Sequence, residues 1–203
     1  MENMNNLNIK INHGKFKRLS LRININVEIV VNTPKRYTYA EIFNFFNNKK
    51  TWIEKHLLFL KTQKEKLSNY DFKNYLYLFG KKYCKKEKGN SKSFYIDVFK
   101  SILKPIVFDL STKLKMKINN IQYTNSKRIW ESLDSKNNMK LNLILIMIPF
   151  DLVKYVIIHE LCHSIEFNHS KHFWTLVGEY LPNYKELRKK IKEYDILLSQ
   201  NIL

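Results

Sequence analysis

Four of the six histidines of this 203-residue chain, together with two glutamates, lie in the stretch VIIHELCHSIEFNHSKHFW, from Val156 to Trp174. His159 and His163 are four residues apart, so a helix would place both imidazoles on one face, where they can reach a single ion. Glu160 lies about 100° further round the helix, close enough to reach a water molecule on that ion. The pattern H-E-x-x-H is typical of sites where two imidazoles bind zinc and a glutamate takes a proton from water.

A catalytic zinc ion usually has three protein ligands and one open position, and His169 is the predicted third ligand. His169 follows His163 by six residues, about 240° round an ideal helix, so it would face away from the ion if the helix continued. We therefore predict that the helix ends between Ser164 and Asn168. Asn168 is a suitable end point because asparagine tolerates the left-handed conformation that closes many helices.

Three other side chains are alternatives or accessories to His169. Glu166 could cover the ion, but the favoured interpretation is that Glu166 holds one of the ligands in place without binding the ion itself. Glu179 lies on the next predicted helix, where another class of H-E-x-x-H enzyme carries a glutamate ligand, and His172 could polarise a substrate. The spacing of the three histidines also occurs in metzincins, but those have glycine where this chain has Glu166 and a methionine turn after the third histidine. Every methionine of this chain precedes residue 148.

The two cysteines, Cys84 and Cys162, do not form a disulfide framework. Cys162 shares a row of the predicted helix with Ile158, so it is predicted to be a small core residue rather than a ligand. The start MENMNNLNIK has no charged region followed by an apolar run, and the longest apolar stretch, LILIMIPF over residues 143–150, is too short to span a bilayer. We expect a cytoplasmic protein with no membrane partner.

The formal net charge of +18 indicates a strongly basic protein. Such an excess can attract an anionic partner, either a nucleic acid or a nucleotide. The basic residues are scattered along the chain and not gathered in one block, which favours a compositional bias as the simpler explanation. The apolar content and the few glycines and prolines are typical of a globular protein and exclude fibrous or linker-like classes.

The first half of the chain is predicted to be rich in β-structure with a helical insertion. Apolar residues alternate with polar ones over residues 7–33, which predicts half-buried strands in which Leu19, Leu21, Ile23 and Ile25 share one face. Thr38 and Glu41 have the spacing of a capping box and predict the start of one or two helices. A second β segment is predicted over Tyr75–Val98, with turns at Gly80 and at Gly89–Asn90.

The second half is predicted to be rich in helices. A helix is predicted over Lys100–Lys117, with Pro105 near its start or at a kink, followed by the strands NIQYT (120–124) and MKLNLILIM (139–147) with the turn DSKNN (134–138) between them. A further helix is predicted from Pro149, with Asp151 in its first turn and with Val153, Ile157, Leu161 and Ile165 in one row. Two more helices are predicted over His172–Tyr180 and Tyr184–Leu198. We predict a single α+β domain over residues 1–203, with a β-rich part (1–98) and an α-rich part (99–203) that carries the histidines.

The stretch YVIIHELCHSIEFNHSKHFWTLVGEYLPNYKELRKKIKEY, from Tyr155 to Tyr194, resembles the signature of the YgjP-like metallopeptidase family, which is related to SprT-like zinc proteins. Upstream, WESLDSKNNMKLNLIL aligns without gaps to the family pattern W-G-S-C-S-S-K-G-N-I-R-L-N-W-R-L, and KRLSLRI, WIEKHL and YLFGKKY match looser features. The resemblance implies a zincin-like fold with the active-site helix on a small sheet. It also implies a zinc ion and a site formed by His159, His163 and His169 as ligands and Glu160 as the catalytic glutamate.

The chain departs from the family pattern around its tryptophan, Trp130. The arginine that precedes this tryptophan in the family is Ile129 here, and Arg128 lies one position earlier. The family's glycine is Glu131 and its cysteine is Leu133. Trp130 and Arg128 are therefore candidate accessory residues of a substrate cleft, and MKLNLILIM is the candidate strand beside it.

The predicted function is that of a zinc-dependent hydrolase, and the leading hypothesis is a peptidase that acts on a polypeptide. Two alternatives use the same metal. A zinc-dependent nucleotide phosphohydrolase would suit the positive charge, but the sequence has no glycine-rich phosphate loop and no acidic two-metal cluster. A nucleic-acid-associated protein with structural zinc would usually need four protein ligands with a preference for cysteine.

Overall fold

A computed structural model describes residues 8–24, 26–85, 91–200 and 202–203 of the chain. The chain divides into two compact units, residues 1–69 and residues 70–203. Both units contain helices and small sheets, so the predicted α+β class is confirmed. In the described part of the chain, no helix has both the length and the apolar character needed to cross a bilayer.

The first unit is a three-stranded sheet with two helices. Its elements are β1 (Ile9–Gly14), β2 (Ser20–Ile23), β3 (Ile29–Pro34), α1 (Tyr39–Asn48) and α2 (Lys50–Leu67). The strand order is β1-β3-β2, with β1 parallel and β2 antiparallel to β3. The alternation prediction is confirmed in β2, where Leu21 and Ile23 are half-buried while Ser20 and Arg22 are exposed; Ile25 lies outside the described residues.

The predicted capping box at the start of α1 is confirmed. The Thr38 hydroxyl oxygen accepts a hydrogen bond from the Glu41 N–H at 3.3 Å, and the Glu41 carboxylate accepts one from the Thr38 N–H at 2.7 Å. This exchange satisfies two of the backbone groups that a helix start leaves free. The helix then packs Ile42 and Phe46 against Ile29 and Val31 of the central strand, in the core of this unit.

The second unit begins with a hairpin, β4 (Tyr75–Leu78) and β5 (Lys81–Cys84), around the predicted turn at Gly80. Gly80 has a φ of 80°, and a Cβ there would lie 3.2 Å from Pro149, so glycine suits both the backbone and the space. The predicted strand up to Val98 is wrong, because Ser91–Val98 is a helix, α3. The other predicted turn, Gly89–Asn90, lies outside the described residues.

Helix α3 continues through a π-helical segment, Phe99–Leu103, into α4 (Lys104–Lys113). The helix predicted over Lys100–Lys117 is thus confirmed as far as Lys113. The Lys104 N–H reaches back five residues to the Phe99 carbonyl, just before Pro105. Since proline has no N–H and crowds the preceding turn, a wider turn at this point lets the helix continue past it.

A second three-stranded sheet consists of β6 (Asn120–Thr124), β7 (Glu131–Leu133) and β8 (Asn138–Asn142), in the order β6-β8-β7. The predicted turn over residues 134–138 is confirmed, and it joins β7 to β8. The Asp134 carboxylate accepts hydrogen bonds from the N–H groups of Lys136 and Asn138, both at 2.9 Å. Strand β7 itself was not predicted.

The predicted strand MKLNLILIM is wrong beyond Asn142, because Leu143–Met147 forms a buried 3-10 helix. The Asn142 side chain accepts the Ile144 N–H at 3.1 Å and so caps this helix. All five residues of the segment are apolar and buried. Because the apolar run is uninterrupted, its sequence has no periodicity that could distinguish a strand from a 3-10 helix.

The C-terminal part is helical, as predicted. It contains α5 (Phe150–Cys162), α6 (Lys171–Tyr180), α7 (Tyr184–Ile191), the 3-10 turn Lys192–Tyr194 and α8 (Asp195–Leu198), so the helix predicted over Tyr184–Leu198 is interrupted after Ile191. Helix α5 packs against α6, α7 and β7. Its residues Val153, Ile157 and Leu161 are fully buried, whereas Ile165, beyond the helix end, is 50% exposed.

Candidate metal centre

The end of α5 sets the position of the histidines. The helix ends at Cys162, and His163 is its C-cap. The N–H groups of Ile165 and Glu166 both bond to the Cys162 carbonyl, at 3.1 and 3.0 Å, and form a tight turn. The prediction that the helix ends between Ser164 and Asn168 is therefore wrong by a residue or two. Asn168 also does not have the predicted left-handed conformation. The helix is closed instead by the turn in which Ile165 and Glu166 bond to the Cys162 carbonyl.

The three imidazoles converge on one point. The Nε2 atom of His169 lies 3.0 Å from Nε2 of His159 and 3.3 Å from Nε2 of His163. Two nitrogens bound to a tetrahedral zinc ion at 2.0–2.1 Å would be about 3.3 Å apart, so these nitrogens have the spacing of ligands around one ion. His159 is buried, His163 is partly buried and His169 is exposed, so the group opens to solvent on the side of His169.

The second ring nitrogen of His163 is held by the backbone. Its Nδ1–H donates to the carbonyl oxygen of Glu166 at 3.0 Å, which leaves the Nε2 lone pair free for an ion. The Glu166 carboxylate accepts instead from Nδ1–H of His172, at 3.2 Å, on the exposed surface. The structure thus places Glu166 and His172 beside the imidazole group, while Glu179 is exposed on α6.

Aromatic rings of α6 pack against the imidazoles. Phe173 is fully buried and stacks on His163 with a centroid distance of 4.4 Å, and Trp174 stacks on His169 at 5.4 Å. The Arg188 guanidinium, from α7, lies 4.3 Å from the centre of the Trp174 ring. The sequence does not predict these residues as part of the site. The Phe-Trp pair just after His172 is a usable signal for the first two, whereas the approach of Arg188 depends on tertiary structure.

The electrostatic environment favours neutral imidazoles. Burial, followed by the nearby His163, His169 and Arg188, lowers the pKa of His159 to about 3. Burial, with His163 and Arg188, also lowers the pKa of His169. Because a metal ion binds only the unprotonated nitrogen, these shifts keep the lone pairs available at neutral pH.

Glu160 is buried within α5, and burial raises the pKa of its carboxyl group to about 7. A second carboxyl group lies nearby on β7. One oxygen of Glu131 lies within 4.8 Å of both a ring nitrogen of His159 and a carboxyl oxygen of Glu160. Burial raises the pKa of Glu131 to about 8, with further contributions from Glu160 and Asp195. In the sequence, Glu131 stands out only as a departure from the family pattern.

The remaining candidates lie outside the imidazole group. Trp130 is buried, and its Nε1–H donates to the carboxylate of Asp195 at 2.7 Å, at the start of α8. Arg128 is exposed at the surface. Cys162 is fully buried and its thiol is free, so its predicted place in the core is confirmed.

Three histidines on a helix end and the turn after it, next to a buried glutamate, define a candidate metal centre of the H-E-x-x-H type. The chain matches the family model for the YgjP-like metallopeptidase domain over residues 17–93 and 84–194. These segments cover most of its length, so the chain belongs to the YgjP-like family, and the resemblance noted in the sequence is confirmed. Neither the curated proteins nor the solved structures contain a significant match.

Proposed function

We propose that this protein is a zinc-dependent metallohydrolase and that it acts as a peptidase. In this proposal His159, His163 and His169 hold the ion, and Glu160 is the general base. The observation that carries the proposal is the convergence of three Nε2 atoms, with two separations of 3.0 and 3.3 Å, next to a buried glutamate. The family to which the chain belongs supports the choice of a peptidase.

The donor set fits a zinc ion. Three neutral imidazoles are the ligands of several catalytic zinc sites, and they leave one position for water or substrate. The exposed side of the group, at His169, is where that position would be reached from solvent. When bound, the ion would act as a Lewis acid that polarises the scissile carbonyl and makes a water molecule more acidic.

Glu160 performs the proton transfers in the proposed reaction. Its carboxylate takes a proton from the attacking water as the water oxygen bonds to the carbonyl carbon. It then gives that proton to the amide nitrogen as the carbon–nitrogen bond breaks, so that a carboxylic acid and an amine leave. Burial raises the pKa of this carboxyl group, which makes it a stronger base for the first step and lets it hold the proton until the second.

The rest of the local structure holds these groups in place. The Glu166 carbonyl and the Phe173 ring fix the imidazole of His163, and Trp174 covers one face of His169.

We also propose a zincin-like arrangement, in which α5 packs on β7 of the second sheet. We propose that residues 1–203 form one functional domain whose catalytic part is residues 99–203. We further propose that the protein works in the reducing environment of the cytoplasm, which suits its two free cysteines.

The test compares the zinc-loaded protein with its Glu160→Gln and His169→Ala variants, and with Glu186→Gln as a control on the exposed surface of α7. Each is assayed against an unfolded polypeptide and a nucleoside triphosphate, and its zinc content is measured. We expect Glu160→Gln to lose peptide hydrolysis by a factor of about 10² or more while it keeps one zinc ion per chain. We expect His169→Ala to lose the zinc. Normal peptide hydrolysis by Glu160→Gln, or hydrolysis of the triphosphate alone, would contradict the proposal.

A further inference from the structure

Two buried polar atoms near the candidate metal centre have no hydrogen-bond partner among the described residues: Nδ1 of His159 and Oε2 of Glu131. A buried polar atom without a partner is costly and therefore rare. The corresponding Nδ1 atom of His163 does have a partner, the Glu166 carbonyl. His159 is thus the ligand candidate whose outer nitrogen lacks support.

The location of Glu131 matches that missing support. One of its carboxyl oxygens lies within 4.8 Å of a ring nitrogen of His159. This oxygen groups with His159 and Glu160, whereas Nε2 of His159 faces His169 and His163. Among the described residues, Glu131 is not part of the group formed by the three imidazoles but belongs to a second group that shares only His159 with the first.

The backbone of Glu131 is well anchored. It is paired with Leu141 in the antiparallel β7–β8 ladder, and β7 packs against α5. The preceding residue, Trp130, is buried and hydrogen-bonded to Asp195. With the backbone held in this way, we assign the approach of its oxygen to hydrogen-bond distance of the imidazole to rotation of the Glu131 side chain.

We propose that Glu131 is a positioning residue for His159: when Nε2 binds the ion, Nδ1 carries the hydrogen and donates it to the Glu131 carboxyl group. The hydrogen bond forms whether that carboxyl group is neutral or ionised, because its oxygen accepts in both states. Such outer partners fix the tautomer and the orientation of an imidazole ligand. The inference rests on the proposed metal site and adds to it a residue at a position where the resembled family pattern has glycine.

The experiment measures zinc affinity by competition with a chelator for the full-length wild type, Glu131→Ala and Glu131→Gln, with Glu186→Gln on the exposed surface of α7 as the control. We expect a 10- to 100-fold weaker affinity for Glu131→Ala, the usual effect of losing an outer partner. Glu131→Gln should recover most of the affinity, since its amide oxygen can also accept the hydrogen bond. The control should match the wild type. Circular dichroism checks that each variant is folded.

A second readout separates positioning from general stability. In the zinc-loaded protein, proton–nitrogen correlation spectra of the imidazoles should show a slowly exchanging Nδ1–H for His159, lost in Glu131→Ala and retained in Glu131→Gln. If Glu131→Ala binds zinc as tightly as the wild type and keeps this signal, the inference fails while the proposed function stands. The inference would also be overturned if the visible spectrum of the cobalt-loaded wild type, compared with that of Glu131→Ala, showed that Glu131 is a direct ligand. If the wild type binds no zinc at the histidines, both proposals fail.

Discussion

The carboxyl group of Glu131 should make the metal-free protein less stable as the pH rises. Its folded-state pKa of about 8 lies above the ordinary value of 4.5, so the folded chain keeps a proton that the unfolded chain has lost between these two values. In that window the free energy of unfolding falls with increasing pH. The Glu131→Gln substitution removes the titrating group and should remove this loss.

The magnitude follows from proton linkage. Each pH unit over which the folded state binds one additional proton changes the stability by about 1.4 kcal/mol. Between pH 5.5 and 7.5, the free energy of unfolding of Glu131→Gln should therefore increase relative to the wild type by about 2 to 3 kcal/mol. Taking the difference between the two proteins cancels the contributions of groups that do not interact with Glu131. The pKa of Glu160 is raised and acts in the same direction, and Glu160 and Asp195 cancel only in part because they interact with Glu131. The lowered pKa of His159 stabilises the fold as the pH rises from about 3 to 6.5.

The assay is urea unfolding in the presence of a chelator, at half-unit steps of pH. A Trp52→Phe background restricts the tryptophan fluorescence to Trp130 and Trp174, both in the second unit. Glu186→Gln, on the exposed surface of α7, is the control, and its difference from the wild type should not change with pH. A constant difference between Glu131→Gln and the wild type across this range would refute the reasoning, because it would mean that Glu131 releases its proton equally in both states.

Two further predictions concern the aromatic rings that pack on the imidazoles. Phe173→Ala removes a fully buried ring and should lower the free energy of unfolding by about 3 to 5 kcal/mol, measured by urea unfolding; a change below about 1 kcal/mol would contradict this. Trp174→Ala exposes one face of His169 and should weaken zinc binding in a chelator competition, whereas Trp174→Phe should largely preserve it; equal affinities for the two variants would show that the stacked ring at 5.4 Å does not hold the ligand.

The parts of the site that the sequence predicted are those fixed by local geometry. His159 and His163 share a helix face because a helix repeats every 3.6 residues. The need for the chain to turn before His169 followed from the same geometry, although the turn begins earlier than predicted. The capping box at Thr38 and the turn at Asp134 were also visible, since the side chains that form them bond to backbone groups only a few residues away.

The errors occur where distant contacts decide the structure. The segment Ser91–Val98 is a helix in which the buried hydroxyl group of Tyr95 forms hydrogen bonds with the N–H and the carbonyl of Tyr77. No local sequence pattern predicts that contact. The run Leu143–Met147 is buried throughout, so its pattern fits a buried strand and a buried 3-10 helix equally well. Glu131 is brought to the histidines by the packing of β7 on α5, which no spacing in the sequence reveals.

The cost of burying polar groups gives an independent argument that α5 carries a functional site. In the described part of the second unit, the buried polar or charged residues are Ser111, Asn142, His159 and Glu160. The side chains of Ser111 and Asn142 form hydrogen bonds that compensate for their burial, and Asn142 bonds to three backbone groups. His159 keeps an unpaired nitrogen, and burial opposes the charged forms of both His159 and Glu160. Apolar residues at these two positions would make the metal-free fold more stable, so folding alone does not account for an imidazole and a carboxyl group here. Binding an ion and moving a proton would account for both.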